Sequence, residues 1–309
     1  MNTALQYKLI TNSFLKKQIR YILFIVPFLL SSCIHDEPGD CPTLQVQLVV
    51  KDKNYFNADQ VSLDTPKSES LAFREYIPTL YYTLRNADTG EIVEEQGVFN
   101  VTGNEPTQLI TFCDCLPHGK YALTVWGGIV DNTSLADNSL TNIIHSNGAE
   151  GNDIYLAHDT LVYDINHTNY TVNMERVTGK LLIQTGNLPA SVRYAAKRIS
   201  KLYERVNYKF DYLNPITVNN LDTWEPTEEI VMHAILAPSA GKLQSMLHLD
   251  FYETAPPSTP DLTPKDVYIT MKRNELTTLK YVYDDERRNF SIFVLSNDGW
   301  EIIYDLNIN

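Results

Sequence analysis

The segment Leu116-Pro-His-Gly-Lys-Tyr-Ala-Leu-Thr-Val-Trp-Gly-Gly128 places a turn directly before a strand. Pro117 and Gly119 favour the turn, because proline fixes φ and glycine tolerates conformations that other residues avoid. From Tyr121 to Trp126, side chains of different character alternate, which is the period of a strand with two distinct faces. The segment therefore predicts a strand of a β-sandwich.

Similar patterns recur on both sides of this segment. Residues 44–50 alternate apolar and polar side chains, and residues 81–93 have the pattern of a β-hairpin with a glycine near the end of its loop. A strand and turn restart at residues 177–189, and residues 237–243 repeat part of the first turn. The chain also has 19 Tyr against 13 Gly, which favours strands. The predicted fold class is all-β, with two tandem transthyretin-like or immunoglobulin-like β-sandwich domains at residues 44–175 and 176–309.

The N-terminal segment has the composition of a secretory signal. Four basic residues precede an apolar run of ten residues, 21–30, which ends in Leu30-Ser31-Ser32-Cys33. A membrane-spanning helix would need about twenty apolar residues, so residues 1–32 are predicted to be a signal peptide that is removed. Leu-Ser-Ser-Cys matches the bacterial lipobox, in which the cysteine thiol is acylated; the alternative is an ordinary signal peptide. Cys33 is therefore the predicted lipidation site, carrying palmitate-type chains, and residues 33–43 form the lipidated tether.

Charge and length limit the partners and the architecture. Removal of residues 1–32 leaves 21 basic and 38 acidic residues, a formal charge of −17. Such a chain is not expected to bind nucleic acid or to adhere to anionic membranes through basic patches. The 277 residues from Cys33 onward exceed the usual size of one hydrophobic core, so two domains are expected.

Cysteines are few, and their pairing stays open. Cys113 and Cys115 are two residues apart on a predicted strand, about 6.5 Å from each other, which disfavours a bond between them. A disulfide from Cys41 to Cys113 or Cys115 is the preferred alternative, and it would leave one thiol unpaired. A metal site at Cys-Asp-Cys is disfavoured because no second ligand pair stands at suitable spacing.

The lipobox, residues 33–42, the stretch at 116–127 and the Val-x-Gly-Lys restart at 177 together resemble one family. It is the family of FimB-type fimbrial anchor lipoproteins of Bacteroidales, which belong to type V pili. The acidic pair Asp36-Glu37 also resembles an export signal of surface lipoproteins in this group; a solvated linker is the alternative. The resemblance implies an outer-membrane, lipid-anchored, surface-exposed protein that fixes a fimbrium to the cell and limits its length.

The resemblance also implies a mode of assembly. In this family a stalk subunit loses its first strand by cleavage after Arg or Lys, and a neighbour's strand fills the groove. Here the first Arg after Cys33 is Arg74, and only Lys51, Lys53 and Lys67 precede it. We therefore expect the first strand to be retained and the fimbrial stalk subunits to be bound elsewhere.

The C-terminal tail is the candidate binding segment for a stalk subunit. Residues 301–309 alternate in the manner of a strand, and the alternative is that they form the last strand of the second sandwich. The candidate partner-binding residues are Ile302, Ile303, Tyr304, Leu306 and Ile308.

No catalytic, metal or cofactor motif is present, so a non-enzymatic protein without a cofactor is expected. His145, His158 and His167 lie in polar stretches and are interpreted as surface residues rather than metal ligands. Trp126, Trp224 and Trp300 would suit a sugar-stacking platform, but such residues more often lie in cores or at strand ends. Two alternative functions remain: a surface glycan-binding lipoprotein, and an accessory or tip subunit of the same pilus.

Overall fold

The structure is a computed structural model that describes residues 42–112, 116–225, 229–241, 244–296 and 299–304. Its strands in the first half of the chain are β1 Gln45–Val50, β2 Thr79–Asn86, β3 Ile92–Asn100, β4 Thr107–Thr111, β5 Gly119–Gly127, β6 Leu135–Ala136, β7 Thr141–Ile143, β8 Tyr155–Tyr163 and β9 Asn169–Arg176. Those in the second half are β10 Gly179–Gly186, β11 Tyr194–Asn207, β12 Tyr212–Thr223, β13 Glu229–Leu236, β14 Ser245–Tyr252, β15 Val267–Ile269, β16 Leu276–Asp284, β17 Asn289–Ser296 and β18 Gly299–Tyr304. The all-β prediction is confirmed.

Helical structure in these residues is confined to single turns. They are the 3-10 helices Ala58–Gln60, Phe73–Glu75, Asn132–Ser134 and Ser146–Gly148. Within the described ranges, no helix is long and apolar enough to cross a bilayer.

The first sandwich is a sheet that folds over on itself. Its strand order is β3-β2-β5-β8-β9-β1-β4, but β8 and β9 are joined only at Tyr155↔Arg176 and Leu156↔Glu175. Beyond this short junction the four strands from β3 to β8 and the three strands from β9 to β4 diverge and enclose a core of residues from the range 44–174. Aromatic side chains such as Tyr82 and Phe112 meet edge to face in that core, 5.4 Å apart.

The segment Leu116–Gly128 contains β5, Gly119–Gly127, which is buried on both faces. Tyr121 faces the first core, and its hydroxyl donates to the Pro117 carbonyl over 2.6 Å, which closes the turn. On the other face, Trp126 is fully buried in a separate cluster that also contains Val177 and Ala237 of the second half. Both sequence-predicted faces thus bury side chains, because the second sandwich covers the outer face of the first.

Gly128 directly follows this strand, at a position that requires glycine. Its φ is +76°, and a Cβ there would lie 2.2 Å from the Asp153 carbonyl oxygen. Any side chain at this position would be strained and would collide with the chain entering β8.

The first strand lies in the interior of its sheet. β1 pairs in parallel with β9 through six residues and antiparallel with β4 through five. Leu44, Val46 and Leu48 are completely buried in the first core. A strand with ladders on both sides and a buried face is an integral part of the sandwich.

The second sandwich consists of two sheets around its own core. One sheet has the order β13-β10-β16-β17-β18. In the other, β11 pairs along one edge with β12 and along the opposite edge with β14 and β7, which lead on to β15 and β6. Its core contains residues from the range 181–292. The two tandem sandwiches that the sequence predicts are therefore present; the exact boundary at residue 175 stays a prediction.

Residues 131–153 are rich in Asn, Ser, Asp and Gly, a composition that predicts a surface excursion, but they are partly ordered against the second sandwich. β7 pairs with β11 at Ile143↔Arg205, and Asn142 is fully buried. The expectation of a surface His145 is wrong: its side chain is fully buried. Polar composition suggested exposure, but His145 is buried because its ring is hydrogen-bonded both within the excursion and to the second sandwich.

His145 holds this excursion in place through hydrogen bonds of both ring nitrogens. Nδ1 donates to the Ala149 carbonyl oxygen over 2.9 Å, and Nε2 accepts from the Ala237 backbone N–H over 2.9 Å. Because burial disfavours the imidazolium, the pKa of His145 is lowered from 6.5 to about 4. The neutral tautomer is therefore the one that holds the excursion in place.

The segment after β1 also crosses to the second sandwich. The Asn57 amide donates to the Leu276 carbonyl over 2.9 Å and its Oδ1 accepts from the Leu276 backbone N–H over 2.8 Å. Tyr55 and Val61 pack with Leu182 and Leu276 in a small buried cluster. Residues 52–70 are polar and loop-like in sequence, and the few apolar residues among them have no regular period that would predict this packing.

Arg176, the last residue of β9, connects these segments. Its side chain is only 4% exposed, and Nε lies 2.8 Å from Asp153 Oδ1. Nη1 donates to Asn274 Oδ1 over 2.7 Å, and Nη2 donates to the Tyr155 hydroxyl. Burial alone would lower the pKa of Arg176, but Asp153, Tyr155 and Tyr55 together outweigh that effect and the pKa is raised. The guanidinium therefore stays charged and joins the two sandwiches.

Two aromatic rings complete the Arg176 site. The guanidinium carbon lies 4.1 Å from the centroid of Tyr55 and 4.9 Å from that of Tyr155. The Arg176 backbone N–H donates to Asp52 Oδ2 over 2.8 Å, two residues after β1 ends. The end of β1 and the start of the second sandwich are thus held by one residue.

We predict that Arg176→Met lowers the free energy of unfolding by about 2–3 kcal/mol, because Asp153, Asn274 and the Tyr155 hydroxyl each lose a guanidinium donor. Urea unfolding of the purified protein measures the change. Arg205→Met is the matched control: its guanidinium bonds the adjacent, partly exposed Glu204, so a loss below about 1 kcal/mol is expected. Equal losses in the two variants would contradict the central role of Arg176.

We also predict a pH effect from His145. Its pKa is about 4 in the folded protein and near 6.5 when unfolded, so the unfolded state binds more protons between these values. The free energy of unfolding should therefore fall by up to about 3 kcal/mol as the pH drops from 6.5 to 4. Unfolding curves at several pH values should show a shallower fall for His145→Asn, whereas His233→Asn, at an exposed position, should keep the wild-type fall.

Candidate functional site

The described part of the C-terminal tail forms the edge strand of the second sandwich. β18 pairs antiparallel with β17 and is the terminal strand of its sheet. Three large apolar side chains of this strand are exposed: Trp300 by 40%, Ile302 by 51% and Ile303 by 47%. Consecutive exposed apolar residues on an edge strand are a known site of pairing with another chain.

A β-bulge explains why two neighbouring isoleucines are both exposed. Phe293 faces Ile302 and Ile292 faces Tyr304, so Ile303 has no partner residue on β17. The bulge interrupts the alternation of faces at Ile303. Tyr304 consequently packs against the core, while Ile302 stays in solvent.

Beside Ile303 a groove opens between the two sheets of this sandwich. Its volume is about 420 Å³, and it is bounded by β15 on one side and by β16, β17 and Ile303 on the other. Apolar side chains along it include Leu279 and Val294, and Tyr268, 61% exposed, stands at its rim. β15 has only three residues, which leaves this side of the sandwich open.

Two lysines bracket the edge strand. The ammonium of Lys265 lies 4.1 Å from the centroid of the Tyr304 ring, and that of Lys280 lies 5.9 Å from the Trp300 ring. Cation–π contacts at such exposed positions are worth about 0.5–1 kcal/mol each. They hold the aromatic ends of β18 and leave Ile302 and Ile303 between them.

The structure brings together only part of the predicted site. Ile302, Ile303 and Tyr304 lie on β18, as in the alternative that the tail is the last strand of the second sandwich. Their partner-binding role stays a prediction. Leu306 and Ile308 lie outside the described residues, as do the predicted lipidation site Cys33 and the predicted disulfide residues Cys41, Cys113 and Cys115.

The Lys and Arg residues after which cleavage could remove the first strand all follow β1 in the sequence. Lys51 follows it directly and pairs with Glu175 over 3.0 Å. Arg74 lies in a short 3-10 helix, where its guanidinium contacts Glu75 and donates to the Thr102 carbonyl over 3.0 Å. A cut after any of them would separate β1 from the rest of the chain.

The other sequence candidates lie apart from this edge. Trp126 is fully buried and Trp224 is partly buried against Phe251, so the three tryptophans do not form an exposed platform. His167 pairs with Asp164 on the surface, and His158 lies in β8 against the ring of Tyr208. Among the residues that the structure describes, no group of three or more His, Cys, Asp or Glu side chains is arranged to hold a metal ion.

Sequence reasoning missed the groove and its rim. Tyr268 and Leu279 are far from the tail in sequence, and their proximity to Ile303 depends on sheet stacking. The bulge likewise has no local signal, because residues 301–304 read as a regular alternating strand.

No family model matches the sequence, and no curated protein sequence matches it. Several solved structures are similar in fold. The fimbrial anchor protein Mfa2 from Porphyromonas gingivalis is 11% identical with a TM-score of 0.51, covering 85% of this chain and 100% of that chain. A candidate adhesin from Bacteroides thetaiotaomicron VPI-5482 is 13% identical with a TM-score of 0.53, covering 87% and 100%. A candidate polysaccharide-binding protein from the same strain is 12% identical with a TM-score of 0.54, covering 85% and 99%.

At these identities the similarity concerns the fold. The sequence resemblance to fimbrial anchor proteins is confirmed at that level: the chain has the two-sandwich fold of solved structures that include a fimbrial anchor protein and an adhesin candidate.

Proposed function

We propose that this chain is a non-enzymatic lipoprotein of the outer membrane that anchors a fimbrial polymer to the cell surface and terminates or limits its assembly. Acylated Cys33 attaches it to the membrane, and residues 33–43 carry the tether to the first sandwich. A strand contact with a stalk subunit holds the fibre. Similarity in fold to a fimbrial anchor protein supports this role.

The main support for the proposal is the buried position of β1 in its sheet. Four side chains of β1 and the residue before it are at most 3% exposed: Leu44, Val46, Leu48 and Val50. Burial of each contributes roughly 1.5–3 kcal/mol, so together they are worth about 6–12 kcal/mol. That is comparable to the whole net stability of a domain, about 5–15 kcal/mol. A retained β1 keeps its groove filled, and a subunit with a filled groove ends a chain of strand exchange at this point.

The C-terminal edge supplies the contact with the stalk. A partner strand added beside β18 would gain main-chain hydrogen bonds and would cover Ile302 and Trp300. Ile303 and Tyr268 at the groove then offer a place for one of its side chains. Residues 305–309 follow β18 in the sequence, so the same segment of the chain serves whether it receives a strand or is itself donated.

One alternative within the same pilus is an accessory or tip subunit. It predicts a different mature N-terminus, because a processed subunit would begin after Lys51, Lys53 or Arg74. The two roles are therefore separable by one measurement.

We predict that Ile302→Lys combined with Ile303→Lys abolishes retention of stalk subunits while the protein stays folded and attached to the membrane. Charges on an edge strand oppose pairing with another strand, and both side chains already face solvent. Co-purification of pilin subunits from outer membrane measures retention. Val231→Lys, on the edge strand β13 at the other end of the same sheet and 44% exposed, is the control and should retain them.

Unchanged retention in the double variant would remove β18 from the contact. Deletion of residues 301–309 then tests the whole tail: loss of retention there alone assigns the contact to residues beyond Tyr304.

We predict that the mature protein begins at acylated Cys33 and that Cys33→Ala releases it from the membrane. Several acyl chains hold a protein on a bilayer at roughly 0.8 kcal/mol per buried methylene. Mass spectrometry of the native N-terminus and membrane fractionation are the measurements. A chain that begins after Lys51 or Arg74 in the native envelope would contradict the anchor and support a processed subunit.

A further inference from the structure

The outer face of the second sandwich carries a depression built by strand register. Arg198 of β11 faces Asn219 of β12 on one side and His248 of β14 on the other. Two residues earlier, Ala196 lies between Leu221 and Asp250 in the same way. These six side chains form two adjacent rows of three across the sheet, all on the face that points away from the core.

The small side chain in the second row makes the floor. Ala196 has one methyl group, whereas the residues around it have long side chains, so the sheet surface is hollow at this point. Pro256, in the loop after β14, closes one side. The volume of the depression is about 570 Å³, within the range of small-molecule sites.

Two of the polar groups in the first row lack protein partners. Within the described ranges, the Arg198 guanidinium and the Asn219 amide make no side-chain hydrogen bond or ion pair, although both are exposed in the depression. Together they offer several N–H donors and one amide oxygen acceptor.

On the opposite side of the depression, hydrogen bonds between neighbouring side chains fix the acceptor groups in place. His248 Nδ1 lies 2.7 Å from Asp266 Oδ1, and His248 Nε2 lies 3.1 Å from Asp250 Oδ2. The Thr263 hydroxyl donates to Asp250 Oδ1 over 2.6 Å. The Asp250 carboxylate is thus oriented by two neighbours, and each of its oxygens keeps a further lone pair.

The charged side chains around the depression determine which class of ligand it can bind. The positive guanidinium of Arg198 would attract an anion, but Asp250 and Asp266 oppose it across the width of three strands. A cation would be attracted by Asp250 and Asp266 but repelled by Arg198. A neutral ligand whose groups both donate and accept hydrogen bonds can pair with Arg198, Asn219 and Asp250, and hydroxyl groups do so.

We infer that this depression binds a neutral saccharide unit, with ring hydroxyls between Arg198, Asn219 and Asp250 and an apolar ring face against Leu221 and Pro256. Leu221 is 49% exposed, so the apolar surface for the C–H groups of a sugar is present. This inference goes beyond the anchoring role and is independent of it, because the depression is on a different surface from the β18 edge.

Saturation-transfer NMR with methyl α-D-mannopyranoside, methyl β-D-galactopyranoside and methyl β-D-glucopyranoside tests the inference on the intact protein. At least one neutral glycoside should bind with a dissociation constant below about 10 mM, the range of weak single-sugar sites. Ala196→Phe should abolish binding by filling the floor, since an aromatic residue at an outward strand position is compatible with the fold. Arg198→Ala should weaken it at least tenfold.

Matched controls separate the site from general surface effects. Val231→Phe places the same ring on an outward position of the other sheet, and Lys120→Ala removes an exposed cation elsewhere; both should bind as the wild type does. The inference is overturned if none of the three glycosides binds, or if binding survives Ala196→Phe and Arg198→Ala. Binding of only an acidic probe, the methyl glycoside of N-acetylneuraminic acid, would also overturn it. Stalk retention is measured separately, so failure here leaves the anchoring role standing.

Discussion

A buried guanidinium at the junction of the two sandwiches constrains much of this structure. Arg176 stays charged in an interior site only while Asp153, Asn274 and the rings of Tyr55 and Tyr155 surround it. These groups come from the loop after β1, from the entry to β8 and from the second sandwich. Since an unpaired buried charge costs several kcal/mol, displacement of any one segment destabilises the others. The sandwiches are therefore coupled, although each has its own core.

Apolar burial at the same junction reinforces this coupling. Trp126 and Tyr81 on the outer face of the first sandwich pack with Val206 and Ala237 of the second. β5 thus contributes to two cores at once, which explains why its sequence carries large residues on both faces. In the proposed role, a pull between the lipid and the fibre passes through this junction, and a wide apolar contact with a central charge network resists separation of the two parts.

Sequence patterns predicted the fold to the extent that local periodicity determines it. Alternation identified β1, β5 and the closing strand, and the turn before Tyr121 is closed by a hydrogen bond that its Pro and Gly anticipate. The prediction that His145 and the excursion around it are exposed was wrong, because their burial depends on β11, about sixty residues later. For the same reason the row of Arg198, Asn219 and His248 has no local signal: only the register of three strands places them side by side.

The two ends of the chain differ in how easily they exchange partners. β1 has ladders with both β9 and β4, so its removal breaks eleven paired positions and exposes a buried face. β18 has one ladder, interrupted by a bulge, and exposes Ile302 and Ile303. A strand with one hydrogen-bonded ladder can gain a second when it pairs with another chain, whereas a strand with two ladders can only lose one of them. In the proposed role, strand exchange is therefore favoured at the C-terminal edge and opposed at the N-terminal strand, and this asymmetry is what an anchor at the end of a fibre requires.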